Sequence, residues 1–172
     1  MKFFSEKAEK KKGGVEPAVD GVLLEPSREN FTVSSFLEVI ADVGDEEDLY
    51  FFQNKAAEKM SLKLAEYVRE FSGKESVGLF ISFLNFFLER ENLGSVNYVK
   101  VDLSNKKFVV AIENSAIALA LKKKYKKKVC KFYETLLSEL FSDLIGVDIK
   151  FKEIQCLAEE GQREKICIFE ST

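Results

Sequence analysis

The chain contains no histidine and no tryptophan among its 172 residues, and only two prolines. Without histidine there is no His-ligated haem, no imidazole acid–base chemistry and no Ser–His or Cys–His nucleophile pair. No apolar run approaches the roughly 20 residues that span a bilayer; the longest, Val77–Leu88, is far shorter. The start, MKFFSEKAEKKKGG, lacks the apolar core of a signal peptide. These two absences point to the cytoplasm. Cysteine is scarce, at three residues, and in that compartment thiols stay reduced or serve as ligands instead of pairing as disulfides. No glycine-rich nucleotide-binding motif is present, which counts against a reductase. Glutamine is rare beside abundant lysine and glutamate, a usage typical of thermophiles. A net charge of −3 gives no global reason to bind nucleic acid.

What is present suits one soluble domain with a phenylalanine-rich core: 46% of residues are hydrophobic, 32% charged, and 16 are Phe. Residues 1–30, punctuated by Gly13-Gly14, Pro17 and Pro26, read as a loosely docked arm in which Val22-Leu23-Leu24 could add a strand. The domain proper is expected over 31–172. Ser34–Val43 reads as a short helix closed by Gly44. Asp45 to Asp48 then place acids in the first turn of a longer one. Its apolar positions Leu49, Phe52, Ala56, Met60, Leu64, Tyr67 and Phe71 recur at helical spacing up to Gly73.

Ser76–Leu93 forms a third helix, apolar over most of its circumference. It is either a central core helix or one wall of an apolar ligand cavity. Period-two alternation from Val96 to Leu103, the turn Ser104-Asn105-Lys106 and the return Phe108–Ile112 make a hairpin. Ser115 is an N-cap for a helix from Ala116 that continues into Lys122–Lys128, six lysines in seven residues. That run is a solvated helix end suited to the C-terminal dipole, or a phosphate- or lipid-facing patch.

Cys130–Ile145 is the next amphipathic helix. Val147–Cys156 follows as a strand whose parity aims Glu153 inward, and Lys165–Glu170 returns with Cys167. Glu153 and Cys156 lie three residues apart, which on a regular strand puts them on opposite faces. A bulge between Glu153 and Gln155 is needed if both are to face one point. Two readings stay open here. Cys130, Glu153, Cys156 and Cys167 could hold zinc in a closed, structural tetrahedron. Alternatively the thiols are small buried hydrophobes and Glu153 pairs with a lysine such as Lys131.

These residues resemble the 4-vinyl reductase domain family. The matching positions are Ser115 with Ala118, Val129-Cys130, Glu153-Ile154-Gln155-Cys156, Ala158, Gly161 and Cys167-Ile168-Phe169. The match is specific over 113–170 and general over 34–112. It implies the α+β ligand-binding fold shared with TRAPP vesicle-tethering subunits and nitric-oxide sensor domains. That fold would have an antiparallel sheet of about four strands, in two hairpins, packed with four to five helices. It also implies zinc held by Cys130, Glu153, Cys156 and Cys167, as in the sensor domains of phenol-responsive activators. Three features depart from the pattern: a longer turn between Cys156 and Cys167, Ser138-Glu139 where relatives carry glycines, and no His or Trp to grip a phenol hydroxyl.

The function expected is non-catalytic binding of an apolar small molecule between the Phe-rich helix and the hairpin, with Phe80, Phe83, Phe87, Tyr98 and Phe108 lining the site. The chain is expected to form a homodimer, with a dimeric TRAPP-like interaction scaffold that takes no small ligand as the alternative.

Overall fold

The computed structural model describes residues 33–72 and 77–172, all within one compact unit, Phe31–Thr172. The arm at 1–30, the Val22–Leu24 strand and the Gly73 stop lie outside the described residues. Among these, five helices and four strands occur in the order α1 (Val33–Val43), α2 (Glu46–Ser72), α3 (Val77–Arg90), β1 (Ser95–Asp102), β2 (Lys107–Glu113), α4 (Ala116–Leu121), α5 (Lys131–Ile145), β3 (Phe151–Gln155) and β4 (Ile166–Ser171). The strands form one antiparallel sheet in the order β1-β2-β4-β3. This is the expected α+β class.

Local chemistry accounts for most boundaries. The Asp48 N–H donates to Asp45 Oδ1 at 2.9 Å and starts α2. Ser115 Oγ accepts from Ala118 N at 3.1 Å and starts α4. Gly146, left-handed at φ 76°, ends α5 and donates its N–H to Ser142 O. Gly94 has φ +126°, and a Cβ there would lie 2.6 Å from the Glu113 carbonyl, so only glycine fits between α3 and β1.

Three elements differ from the sequence expectation. α3 stops at Arg90, and Leu93 becomes a fully buried linker whose carbonyl accepts from Ala116 N at 3.2 Å. α4 stops at Leu121 and does not continue into the lysines, which occupy the connection to α5. β3 begins at Phe151, not Val147. Ahead of it, Ile149 N and O are both engaged by Ser142 Oγ, at 2.8 and 3.2 Å, instead of by a neighbouring strand.

That Ser142 contact belongs to a longer device. β3 is an edge strand, and exposed edges invite pairing with other chains. Here α5 runs antiparallel along it, offering Ser142 Oγ to Ile149 N, Ser138 Oγ to Phe151 N (2.8 Å) and Glu134 Oε1 to Glu153 N (2.8 Å). Four helical residues advance about 6.0 Å and two strand residues about 6.6–6.8 Å, so every fourth helical side chain meets every second strand N–H. The polar stripe of α5 thus substitutes for a fifth strand.

The core lies between the sheet and the helices. Phe141 of α5 meets Phe80 of α3, Phe108 of β2 and Phe151 of β3, with ring centroids 5.3, 5.0 and 5.0 Å apart. Edge and tilted contacts of this kind add about 0.5–1.5 kcal/mol per pair beyond area burial.

Ser138→Ala removes the acceptor of a buried N–H and is expected to cost about 1–3 kcal/mol, read as a lower urea midpoint at an unchanged m-value.

Candidate metal centre

Four of the nine residues singled out from the sequence converge. Cys130, Glu153, Cys156 and Cys167 are all buried, and one ligand atom from each lies within 4.8 Å of the others. The three Sγ atoms form a near-equilateral triangle, with Cys130 3.8 Å from Cys156 and from Cys167, and Cys156 3.9 Å from Cys167. A tetrahedral ion with metal–sulfur bonds of about 2.3 Å separates its sulfurs by about 3.8 Å. The triangle has the dimensions of one face of such a site.

Each ligand is placed by a separate local feature. Cys130 is the N-cap position of α5, yet its side chain makes no capping bond. Gln53 of α2 substitutes for it, accepting from Phe132 N at 3.0 Å, and this leaves Cys130 Sγ turned to the cluster. Glu153 and Cys167 share the core face of the sheet, Glu153 pairing with Phe169 and Cys167 with Ile112. Cys156 joins them through the anticipated bulge, because the β3–β4 register shifts between Glu153 and Gln155. Ile154 is 45% exposed as a result, while Cys156 returns to the interior. The longer turn after Cys156 does not displace Cys167. It closes on itself through Cys156 N to Glu159 Oε2 (2.8 Å) and a left-handed Gly161.

Surrounding donors favour thiolates. Leu157 N–H points to Cys167 Sγ at 3.3 Å and Ala158 N–H to Cys156 Sγ at 3.4 Å. Ser115 Oγ, which accepts from Ala118 N, also lies 3.6 Å from Cys130 Sγ, and either of that pair can donate. Glu153 Oε2 accepts from Cys130 N at 3.0 Å, but Oε1 is buried without a hydrogen-bond partner among the described residues. No lysine among the described residues neutralises it. Lys131 instead bridges Glu134 at 2.6 Å, and Glu134 holds the Glu153 backbone N–H. Lys131, the lysine named as a partner for Glu153, is thus engaged elsewhere.

With no cation, this geometry resists ionisation. Burial, then the adjacent Cys156, pushes the Glu153 carboxyl up to about 9. Burial, then hydrogen bonding with Cys156 and Cys167, holds the Cys130 thiol well above its ordinary range. At Cys156 the hydrogen bond with Cys130 acts downward, but the bond with Cys167 and burial outweigh it and raise the thiol. Cys167 alone is depressed, to about 5, by hydrogen bonds from Cys130 and then Cys156. Four acidic groups share one buried point, and a divalent cation bound there would let them ionise together. Three sulfurs and one carboxylate suit a thiophilic, four-coordinate ion.

The five aromatics expected to line one cavity do not share one. Phe80 and Phe108 are buried in the ring cluster around Phe141, which fills the space between α3 and the hairpin. Tyr98, 44% exposed, lies in an open groove with Ser82, Asn85 and Asn97. Only Phe83 and Phe87 line the same cavity, of about 370 Å³, beside Leu64 and Phe86, with Lys63, Arg90 and Glu91. The single-cavity expectation fails because Phe141 and Phe151, distant in sequence, occupy its place.

Sequence reasoning missed the supporting groups: Gln53, Glu134, and Ser115 as a thiol partner. Glu134, four residues after Cys130, carried the nearest thing to a signal. In the lysine run, Lys126 pairs with Glu160 at 3.4 Å and Lys127 with Glu46 at 2.5 Å. Lys124 and Lys127 also lie over the Tyr125 ring.

Among known structures, the fold is shared with the phenol-responsive sensory domain of the transcription activator PoxR, solved with phenol. The TM-score is 0.61 at 14% identity, over 80% of this chain and 71% of that one. The class defined is thus an α+β fold also used by a small-molecule sensory domain. The chain matches no family model and no curated protein. No helix among the described residues is long and apolar enough to cross a membrane.

All three thiols are buried, so a thiol reagent is expected to find no fast-reacting cysteine in the native chain and three after denaturation with chelator. A native thiol that reacts at the denatured rate would contradict the closed cluster.

Proposed function

We propose that this chain is a non-catalytic small-molecule-binding or sensing domain of the 4-vinyl reductase type, working in the cytoplasm on an apolar ligand. Cys130, Glu153, Cys156 and Cys167 hold one zinc ion. Four protein ligands leave no open position for water, so the ion staples α5 to the β3–β4 hairpin and performs no reaction. The observation that carries the zinc assignment is the buried Glu153 carboxyl, unpaired with any cation among the described residues, set beside a triangle of sulfurs of tetrahedral dimensions. The likeness in fold to a sensory domain supports the ligand-binding part. So does the cavity between α2 and α3, whose volume lies within the roughly 300–1,000 Å³ usual for small-molecule sites.

A second reading, a dimeric TRAPP-like scaffold, draws on the apolar surface of α1 and α2. Phe36, Val39, Val43, Phe51 and Phe52 are 41–82% exposed there. A contiguous patch of this kind is unusual on a monomer. Light scattering that gives a monomer at tens of micromolar chain would remove this reading.

Native mass spectrometry is expected to show one zinc per chain and its loss in Cys156→Ser. A metal-free spectrum from reduced protein would overturn the assignment. Ligand linkage contributes about 4 kcal/mol when free metal stands a thousandfold above Kd, so chelation should lower Tm by roughly 10 °C.

A further inference from the structure

The cavity between α2 and α3 has a chemical asymmetry that an apolar ligand alone does not use. Its floor is hydrocarbon: Leu64 from α2, with Phe83, Phe86 and Phe87 from α3. Phe83, Phe87 and Arg90 recur at i, i+4 and i+7, so one face of α3 carries rings along its length and a guanidinium at its end. Lys63 joins that guanidinium from α2. Arg90 has one ion pair among the described residues, from Nε to Glu91 Oε1 at 3.7 Å, which leaves its terminal amino groups available. Lys63 makes no ion pair or hydrogen bond among the described residues, so the mouth carries two cations against one carboxylate.

We infer that this cavity takes an amphipathic monoanion, a hydrophobic carboxylate whose apolar body lies on Leu64, Phe83, Phe86 and Phe87 while Lys63 and Arg90 hold its head group. The inference rests on the small-molecule reading proposed above and names the ligand class for it. A neutral hydrocarbon would bury the rings yet leave both cations without a counter-charge. An amine would meet two like charges for one partner. A carboxylate satisfies both ends: apolar contact supplies affinity, and the guanidinium fork with the ammonium beside it fixes orientation.

The test compares octanoate with 1-octanol, matched in chain length, by isothermal titration against the zinc-replete full chain. Octanoate is expected to bind about tenfold more tightly, a typical return for a charge-assisted contact near a surface. The double substitution Lys63→Gln/Arg90→Gln should erase that preference and leave octanol binding unchanged; both residues are exposed, so the fold should tolerate it. Phe86→Glu, at a 57% exposed ring, should weaken both ligands. Equal affinities for acid and alcohol, or a preference that survives the double substitution, would overturn the carboxylate assignment while the apolar site stood. Binding of neither ligand would overturn the ligand-binding reading and this inference together.

Discussion

A carboxyl group buried to 2% exposure beside three thiols is the constraint around which the C-terminal half is arranged. Isolated, such a group costs several kcal/mol or gives up its charge. The chain meets that cost by directing five contributions at one place. These are the helix start at Cys130, the bulge in β3, the backbone amides of Leu157 and Ala158, the Ser115 hydroxyl and the Gln53 amide behind them. None of these alone makes a site. Together they produce a sulfur triangle at tetrahedral spacing with a carboxylate oxygen still unpartnered among the described residues.

The sheet edge and the cluster are mechanically one unit. Glu134, Ser138 and Ser142 serve the free N–H groups of the segment leading into and through β3, and the last of those amides belongs to Glu153. The contact that blocks the edge against foreign strands therefore also sets the height of the Glu153 carboxylate beside the thiols. Lys131, adjacent to Cys130, closes the arrangement by pairing with Glu134. Ser138 supplies the centre of the edge contact. Its hydroxyl is the middle acceptor of the stripe.

The half of the domain that holds α2 and α3 follows a different logic. α3 is apolar on nearly every side, which left both a core role, the favoured one, and a pocket role open to its sequence. Both occur on different faces. Phe80, Leu84 and Leu88 are buried, whereas Phe83, Phe86 and Phe87 face the cavity shared with α2. The centre of the hairpin side is not hollow, since α5 and β3 contribute Phe141 and Phe151 to fill it. What remains open is nearer the surface and carries charge at its rim.

Periodicity and punctuation alone determined the helix and strand inventory, the antiparallel hairpins, the inward parity of Glu153 and the break in register before Cys156. Each of these depends on neighbours within a few residues, where steric and capping rules act directly. The cluster's membership was also readable, because three cysteines and one inward acid leave few combinations. Tertiary structure alone decided that Glu134 reaches the Glu153 amide, that Gln53 from α2 caps α5, and that α5 seals β3. It also decided which phenylalanines fill the core and which face the cavity. Those outcomes depend on the volumes and hydrogen-bond demands of segments up to about a hundred residues apart in sequence, and no local pattern encodes them.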